Sequence, residues 1–501
     1  MIRTLAIVAA VAAARRGVAD GLLPEAVVPE DARPVVALVA EGLPAVGARL
    51  HDAVVVLHRR HRQPVESDVF EGPPVVEGQG RGGNLLLGAW GSGAIPARGE
   101  RRAGAVDLMA GETRDRRQAG VGLGQRERGV IAEAVFASLR RKRLLDTLLG
   151  AATPRQYALG ALVKLRGVSV RELEPALRAQ DVVFLRELKG RDDPPPSIEF
   201  EAEFPDWLIA NLRASWSDAQ IIEHARALQQ PAPLDLRVNS LLATREEVLR
   251  EFAASGIDAQ ATPYSPYGVR LKTKPAINKH PLYLSGKVEV QDEGSQLLAL
   301  LLAPKRGETV VDFCAGAGGK TLMLGALMRS QGQIFALDVD AKRLQQLHPR
   351  LKRSQLTNVQ PMHIDSERDP KLKRLHGKAD RVLIDAPCSG LGTLRRNPDM
   401  KWRQQPEDIE QLKQKQAAIL ASAATLVRPG GRLVYATCSF LTEENEGIVN
   451  AWHTANPQFE PIPAGAILAQ SCSISFSDQY LRVFPTTHET DGFFAAAYQR
   501  V

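Results

Sequence analysis

The residues with the most chemical reach in this chain are its thiols. There are four cysteines, Cys314, Cys388, Cys438 and Cys472, all in the later part of 501 residues. None has the C-x-x-C spacing of a metal site, and so few thiols make no disulfide framework. No metal is expected. Two of them stand among polar residues, in Asp385-Ala386-Pro387-Cys388-Ser389-Gly390 and in Thr437-Cys438-Ser439. A buried cysteine is ordinarily a small hydrophobe. In a polar loop it becomes a nucleophile, because the thiolate is the reactive form and a free thiol has a pKa of about 8.5. One reaction that needs such a thiol is substitution at carbon 5 of cytosine. Carbon 5 is a poor nucleophile until a thiolate adds to carbon 6. It then attacks an electrophilic methyl group, after which its proton must leave and the thiol must be eliminated. That chemistry calls for a nucleophilic Cys, a hydrogen-bond partner on the ring and a base.

The elements that must position these thiols are legible as a pattern. Strand-like apolar runs at 309–313, 333–337, 381–384, 432–436 and 493–498 alternate with helical stretches. That order predicts an α/β domain with a mainly parallel sheet. Ligands bind such sheets at the carboxyl ends of the strands, which is where both thiol motifs fall. The first run ends in Asp312-Phe313-Cys314-Ala315-Gly316-Ala317-Gly318-Gly319-Lys320-Thr321, a glycine-rich turn that lets a ligand approach the backbone. Alone it fits NAD, a nucleotide, S-adenosylmethionine or a plain tight turn, and it has neither G-x-G-x-x-G nor P-loop spacing. Asp338 ends the second run, where an acid suits ribose hydroxyls or caps the next helix equally well.

Further motifs extend this set: Val290-Gln291-Asp292-Glu293-Gly294-Ser295, Asn397-Pro398-Asp399-Met400-Lys401-Trp402, Tyr435-Ala436-Thr437-Cys438-Ser439 with Glu443-Glu444-Asn445, and Asp491-Gly492-Phe493-Phe494. Together they resemble the Sun/Nop (Fmu, Rsm-type) family of RNA cytosine-C5 methyltransferases, in its bacterial 16S rRNA branch. The resemblance runs from about residue 129 to the C-terminus and is strongest over 288–446. It implies S-adenosyl-L-methionine as cofactor and 16S rRNA as partner. A monomer is expected, and so few free thiols fit a reducing cytoplasm. Cys438 resembles the family's nucleophile and Cys388 the thiol that assists product release. Cys314, Ala315, Gly316, Ala317, Gly318, Gly319 and Lys320 match the cofactor loop, Asp338 the ribose ligand, Asp365 the acid near the adenine, and Asp385 the acid beside cofactor and base. The family loop commonly has proline where this chain has Ala317; alanine adopts that turn, so a small effect on affinity is expected.

The expected fold is therefore α/β: a Rossmann-like, seven-stranded methyltransferase core over 291–501, preceded by a small α+β RNA-recognition-like domain over 198–290 and a helical NusB-like RNA-binding region over 129–197. Within these, Leu234-Asp235-Leu236-Arg237-Val238 alternates like a strand, Thr244 and Glu247 make a capping box, and Asp192-Asp193-Pro194-Pro195-Pro196 reads as a linker. Residues 1–128 differ in kind, with no Lys, Tyr or Cys and a density of Ala, Gly, Arg, Val and Pro. A disordered extension, a lineage-specific domain and non-native sequence from a start codon placed too far upstream all fit that bias; the last is favoured. The apolar stretch 5–14 between arginines loosely resembles a signal peptide, but no clean cleavage site follows it.

The net charge of +7 favours an anionic partner. Basic clusters at Arg140 to Arg143, Lys342-Arg343, Lys352-Arg353, Lys371 with Lys373 and Arg374, and Arg395-Arg396 with Lys401 and Arg403 are each expected to be solvated faces. The Arg395 to Arg403 stretch is the best candidate for phosphate contact, because it follows the Cys388 loop. No apolar run reaches membrane-spanning length, so no membrane partner is expected. The rival readings are a DNA cytosine-C5 methyltransferase, which would use Cys388 as nucleophile, a non-catalytic rRNA-binding assembly factor, and an NAD-dependent enzyme. The cysteine in the Thr-Cys-Ser loop argues for RNA over DNA.

Overall fold

In the computed structural model of the protein, the described residues are 125–472 and 479–501. The atypical N-terminal stretch lies outside them up to residue 124. The chain divides into two compact units at Asp193–Pro194, beside the three consecutive prolines. None of the described helices is long and apolar enough to cross a membrane.

The first unit is helical over its described residues. Helices Gln125–Arg140, Lys142–Leu149, Pro154–Gly160, Val170–Leu173 and Ala179–Gly190 enclose a core that includes Leu145, Leu159, Leu173, Leu185 and Leu188. Lys142–Leu149 buries Leu144, Leu145, Leu148 and Leu149, spaced to share one helical stripe. Thr153 caps the next helix, whose first residue is proline and whose Gln156 completes a capping box. The basic run here is not wholly solvated. Arg140 is buried, with its guanidinium 5.6 Å from the centre of the Phe136 ring.

The second unit begins with helices Ile198–Ala202, Asp206–Leu212 and Asp218–Gln229, and then a small antiparallel sheet. Its strands are β1 (Leu234–Val238), β2 (Ala259–Ala261), β3 (Gly268–Leu271) and β4 (Val288–Val290), in the order β2-β3-β1-β4. Helix Arg245–Ala254 follows β1, and Thr244 with Glu247 forms the expected capping box. Leu236, Val238, Val269 and Leu271 face one core with Val248 and Phe252. The alternating polar residues of β1 do not face water: Asp235 and Arg237 are both buried. Asp235 takes a two-pronged hydrogen bond from Arg270, at 2.7 and 3.0 Å.

The main sheet holds β5 (Thr309–Asp312), β6 (Gln333–Asp338), β7 (Val359–His363), β8 (Ala379–Asp385), β9 (Val427–Thr437), β10 (Phe459–Ile462) and β12 (Phe493–Arg500), in the order β10-β12-β9-β8-β5-β6-β7. An eighth strand, β11 (Leu481–Val483), pairs with β12 outside that path. The run β7-β6-β5-β8-β9 is parallel, and β12 closes on β9 antiparallel. Helices cover both faces, which is why the central strands read as apolar runs. Val311, Val382, Ile384 and Tyr435 pack with Ile419, Leu420 and Val449 in one cluster. Val310, Leu383 and Val434 pack with Leu297, Met323 and Leu324 in another. The chain leaves β5 toward β6 and β7, then returns to place β8 on the other side of β5. The switch point therefore lies between β5 and β8, with the carboxyl ends of five parallel strands opening beside it.

Candidate active site at the carboxyl edge of the sheet

On the β5–β6 side the edge is made mainly of backbone. Residues 313–318 turn from β5 into helix Gly319–Leu327. Gly316 and Gly318 have φ of +56° and +82°, in the left-handed region that glycine enters without a Cβ penalty. A Cβ at Gly318 would also fall 2.1 Å from Leu347 Cδ1. At Gly319 a Cβ would meet nothing nearer than Gln291 Nε2 at 4.0 Å, so the backbone lies open there. Two arginines hold this turn by its carbonyls: Arg237 donates to Gly319 O at 2.7 Å, and Arg350 to Ala317 O at 2.6 Å. Asp338, at the end of β6, accepts from Gly316 N at 2.6 Å through one oxygen and from Asp340 N at 2.7 Å through the other. Each oxygen keeps a second lone-pair direction for a ligand. Beneath the turn, Asp312 takes the Thr321 hydroxyl at 2.6 Å, and burial pushes its carboxyl up to about 7. Cys314 is free and half-buried, and desolvation with the surrounding carboxylates raises its thiol well above the ordinary range. Asp365 follows β7 on the same edge, with its side chain 83% exposed.

On the β8–β9 side the edge is made of side chains. Asp385 closes β8 and pairs with Lys320 at 2.6 Å. Burial works against the charge on Lys320, but Asp385 and the Cys438 sulfur favour it, and the ammonium ends above its usual range. Cys388 and Cys438 both carry free thiols, and their sulfurs are 3.4 Å apart. A disulfide would need about 2.05 Å, so the contact is a hydrogen bond between thiols. The Cys438 amide also points to the Cys388 sulfur, at 3.3 Å. The hydrogen bond with Cys438, then burial, then the charges of Cys438 and Glu444 push the Cys388 thiol well up.

The sheet thus brings together the sequence-predicted Cys388, Cys438, Asp385 and Lys320, and carries the glycine turn and Asp338 on the same edge. It does not leave Arg395 and Arg396 free for phosphates. Arg395 donates to Asp491 at 3.1 Å, and Arg396 bridges Asp491 and Asp292, the latter at 2.8 Å. Burial opposes the Arg396 charge, but the two carboxylates hold it above its ordinary range. Lys401 is buried as well, against the Phe204 and Trp402 rings. The carboxylate partners of the two arginines lie about a hundred residues away in sequence, beyond the reach of a local pattern.

Sequence reasoning gave no role to the residues behind the thiols. Glu444 is fully buried and accepts from Ser389 N at 2.8 Å, Ser389 Oγ at 2.5 Å and Gln416 Nε2 at 2.9 Å. Gln416 also donates to Pro387 O at 3.0 Å. Asn445 accepts the Thr437 hydroxyl at 2.5 Å and donates to Ser439 O at 3.0 Å. Gly392 N donates to Cys438 O at 2.9 Å, and a Cβ on Gly392 would sit 2.2 Å from Gly492 O. Removing an acceptor like Glu444 would leave buried donors unpaired at a cost of about 1–3 kcal/mol each. The signal available in sequence was the adjacency of Glu444-Asn445 to the Thr-Cys-Ser loop.

Residues 299–499 match the family model described as 16S rRNA methyltransferase RsmB/F, and residues 204–278 match the ferredoxin-like domain of RsmF/B-like methyltransferases. A probable ribosomal RNA small subunit methyltransferase B of Synechocystis sp. is 37% identical over 301 residues, covering 60% of this chain and 67% of that protein. The chain belongs to this family. A second relative of the same description, from Bacillus subtilis, is 29% identical over 415 residues and is 92% covered. The crystal structure of PH0851 superposes with a TM-score of 0.67 at 28% identity, covering 79% of this chain and 94% of that one. The crystal structure of NSun6 from Pyrococcus horikoshii with SFG shares the fold, with a TM-score of 0.53 at 22% identity. With helix Arg245–Ala254 after β1 and helix Pro281–Leu284 before β4, the βαββαβ order of the small sheet agrees with the ferredoxin-like match.

The cofactor of the family is S-adenosylmethionine, and the β5–β6 side fits it. The open backbone at Gly319 gives close approach, and Asp338 at the end of the second parallel strand has acceptor capacity to spare.

Proposed function

We propose that the protein methylates carbon 5 of a cytosine in RNA, with 16S rRNA as the substrate and Cys438 as the nucleophile. The observation that carries this reading is the pair of free thiols 3.4 Å apart on the ends of adjacent strands, beside the Lys320–Asp385 pair. Residues 314–320 and Asp338 are assigned to hold S-adenosylmethionine, with Asp365 near its adenine. When bound, it supplies an electrophilic methyl group.

The surroundings of the thiols support the division of labour that the family resemblance implies. The hydrogen bond with Cys438, then burial, raise the Cys388 thiol and favour its protonated form, which can donate to the Cys438 sulfur. A thiolate at Cys438 and the Lys320 ammonium attract one another. Cys438 therefore adds to carbon 6, its electron pair making carbon 5 nucleophilic. Asp385, fixed by Lys320, is assigned to hydrogen-bond the pyrimidine ring. After carbon 5 has gained the methyl group, it still holds its proton. With its sulfur bonded to carbon 6, Cys438 no longer carries charge beside Cys388, so Cys388 can release its own proton to solvent and draw the carbon 5 proton off. The carbon–hydrogen electrons restore the ring double bond, and the carbon 6–sulfur pair returns to Cys438. The target base must be unpaired or flipped to reach the thiols.

The test is to incubate the purified protein with methyl-labelled S-adenosylmethionine and a 16S rRNA transcript, then digest to nucleosides. Label in 5-methylcytidine is the expected result. Label in any other nucleoside overturns the reading.

A further inference from the structure

We infer that the consecutive residues Glu444 and Asn445 form a two-sided clamp that sets the spacing of the two thiols, Glu444 fixing the Cys388 loop and Asn445 the Cys438 loop. The inference rests on Cys388 acting in product release.

The geometry divides cleanly between the two side chains. Glu444 holds both neighbours of Cys388. It accepts the amide and hydroxyl of Ser389 directly, at 2.8 and 2.5 Å, and it orients Gln416, which donates to the Pro387 carbonyl at 3.0 Å. Asn445 holds both neighbours of Cys438, through the Thr437 hydroxyl at 2.5 Å and the Ser439 carbonyl at 3.0 Å. The two halves meet at one link, Ser389 Oγ to Ser439 Oγ at 3.1 Å. Ser389 has one hydroxyl proton. It gives that proton to Glu444 and so accepts from Ser439, whose oxygen in turn receives Leu441 N at 3.0 Å. The turn itself is tied to β9 by the Tyr435 hydroxyl, which donates to the Glu444 carbonyl at 2.8 Å. Every partner of the two carboxylate oxygens is buried, so no water replaces a lost bond at low cost. A strand end and a following loop alone would leave a cysteine free to shift by more than the reaction tolerates.

These are positioning residues, and the two halves fail differently. If the Cys388 side loosens, addition and methyl transfer proceed but the carbon 5 proton stays. The carbon 6–sulfur bond then persists, and a covalent protein–RNA adduct accumulates on ordinary cytosine. If the Cys438 side loosens, addition itself slows and no adduct builds up. Glu444→Gln keeps the shape but brings an amide donor against the donors of Ser389 and Gln416.

The experiment compares wild type, Cys388→Ala, Glu444→Gln, Ser389→Ala and Asn445→Ala. Each is incubated with the unmodified rRNA transcript and S-adenosylmethionine and run on a denaturing gel. Cys388→Ala is expected to accumulate adduct. Glu444→Gln should do so too, with turnover reduced by about tenfold or more and the KM for S-adenosylmethionine unchanged. Adding Glu444→Gln to Cys388→Ala should add nothing. Ser389→Ala should give less adduct than Glu444→Gln, and Asn445→Ala none. Loss of turnover in Glu444→Gln without adduct, while Cys388→Ala traps, overturns the clamp and leaves the release role standing. Absence of adduct in Cys388→Ala overturns the release role and the clamp with it. If Glu444→Gln does not fold, Ser389→Ala decides alone: adduct above wild type supports the clamp, and none overturns it.

Discussion

The β5–β6 side of the sheet edge presents backbone, shaped by two glycines of positive φ and held from outside by Arg237 and Arg350. The β8–β9 side presents reactive side chains, held from beneath by buried Glu444 and Asn445. A backbone cradle suits a ligand that must be held in one pose, and its faults should appear as weakened binding. A pair of clamped thiols suits bond making and breaking, and its faults should appear as lost turnover. Lys320 and Asp385 are where the two meet, since the helix that follows the glycine turn supplies the cation paired with the acid closing β8.

The largest expected break in that comparison is Cys438→Ala. Methyl transfer to RNA should fall by at least about 10³-fold, with the Kd for S-adenosylmethionine, measured by calorimetry, unchanged. A parallel loss of cofactor affinity would show that the two sides are not separable. Asp338→Ala should do the reverse. It removes the acceptor for Gly316 N and Asp340 N and the acid assigned to the ribose. At about 1.5–3 kcal/mol for a hydrogen bond to a charged group, the Kd should rise about 10–100-fold, while kcat at saturating cofactor recovers.

Gly318→Ala should be milder. The left-handed φ costs about 1–2 kcal/mol for any residue with a Cβ, and the new methyl meets the flexible end of Leu347. Calorimetry should find the Kd for S-adenosylmethionine raised several-fold, and scanning fluorimetry a Tm lower by a few degrees. The smallest effect is a pH slope. Burial first of all raises Asp312 from 3.8 to about 7. Between those values the folded state binds more protons than the unfolded state, so this group makes stability fall as pH rises through the window and flat above it. Asp312→Asn keeps an acceptor for Thr321 and should shrink the drop in Tm between about pH 5 and pH 8.

Strands β5, β6, β8, β9 and β12 were legible because a sheet covered on both faces writes its strands as apolar runs. β7 and β10 were not, and both contain proline, Pro361 and Pro461, on the two edges of the sheet. The thiols, the glycine turn and Asp338 were visible because they sit just after strands. What holds them was not. Glu444 and Gln416 act on the Cys388 loop from 28 and more residues away. Arg395 and Arg396 looked like a surface patch because Asp292 and Asp491 reach them only in the fold. Likewise β1 alternates apolar and polar residues, and its polar Arg237 reaches the glycine turn. Periodicity reports which face is apolar; it does not report that a polar face will be covered by another element.

The measurement that tests the account most directly uses a 16S rRNA fragment carrying 5-fluorocytidine, incubated with S-adenosylmethionine. Fluorine on carbon 5 cannot leave as a proton does, so the adduct cannot resolve. Wild type and Cys388→Ala are predicted to become covalently attached to the RNA, and Cys438→Ala is predicted not to. An adduct that survives Cys438→Ala and disappears in Cys388→Ala would contradict the assignment of the nucleophile.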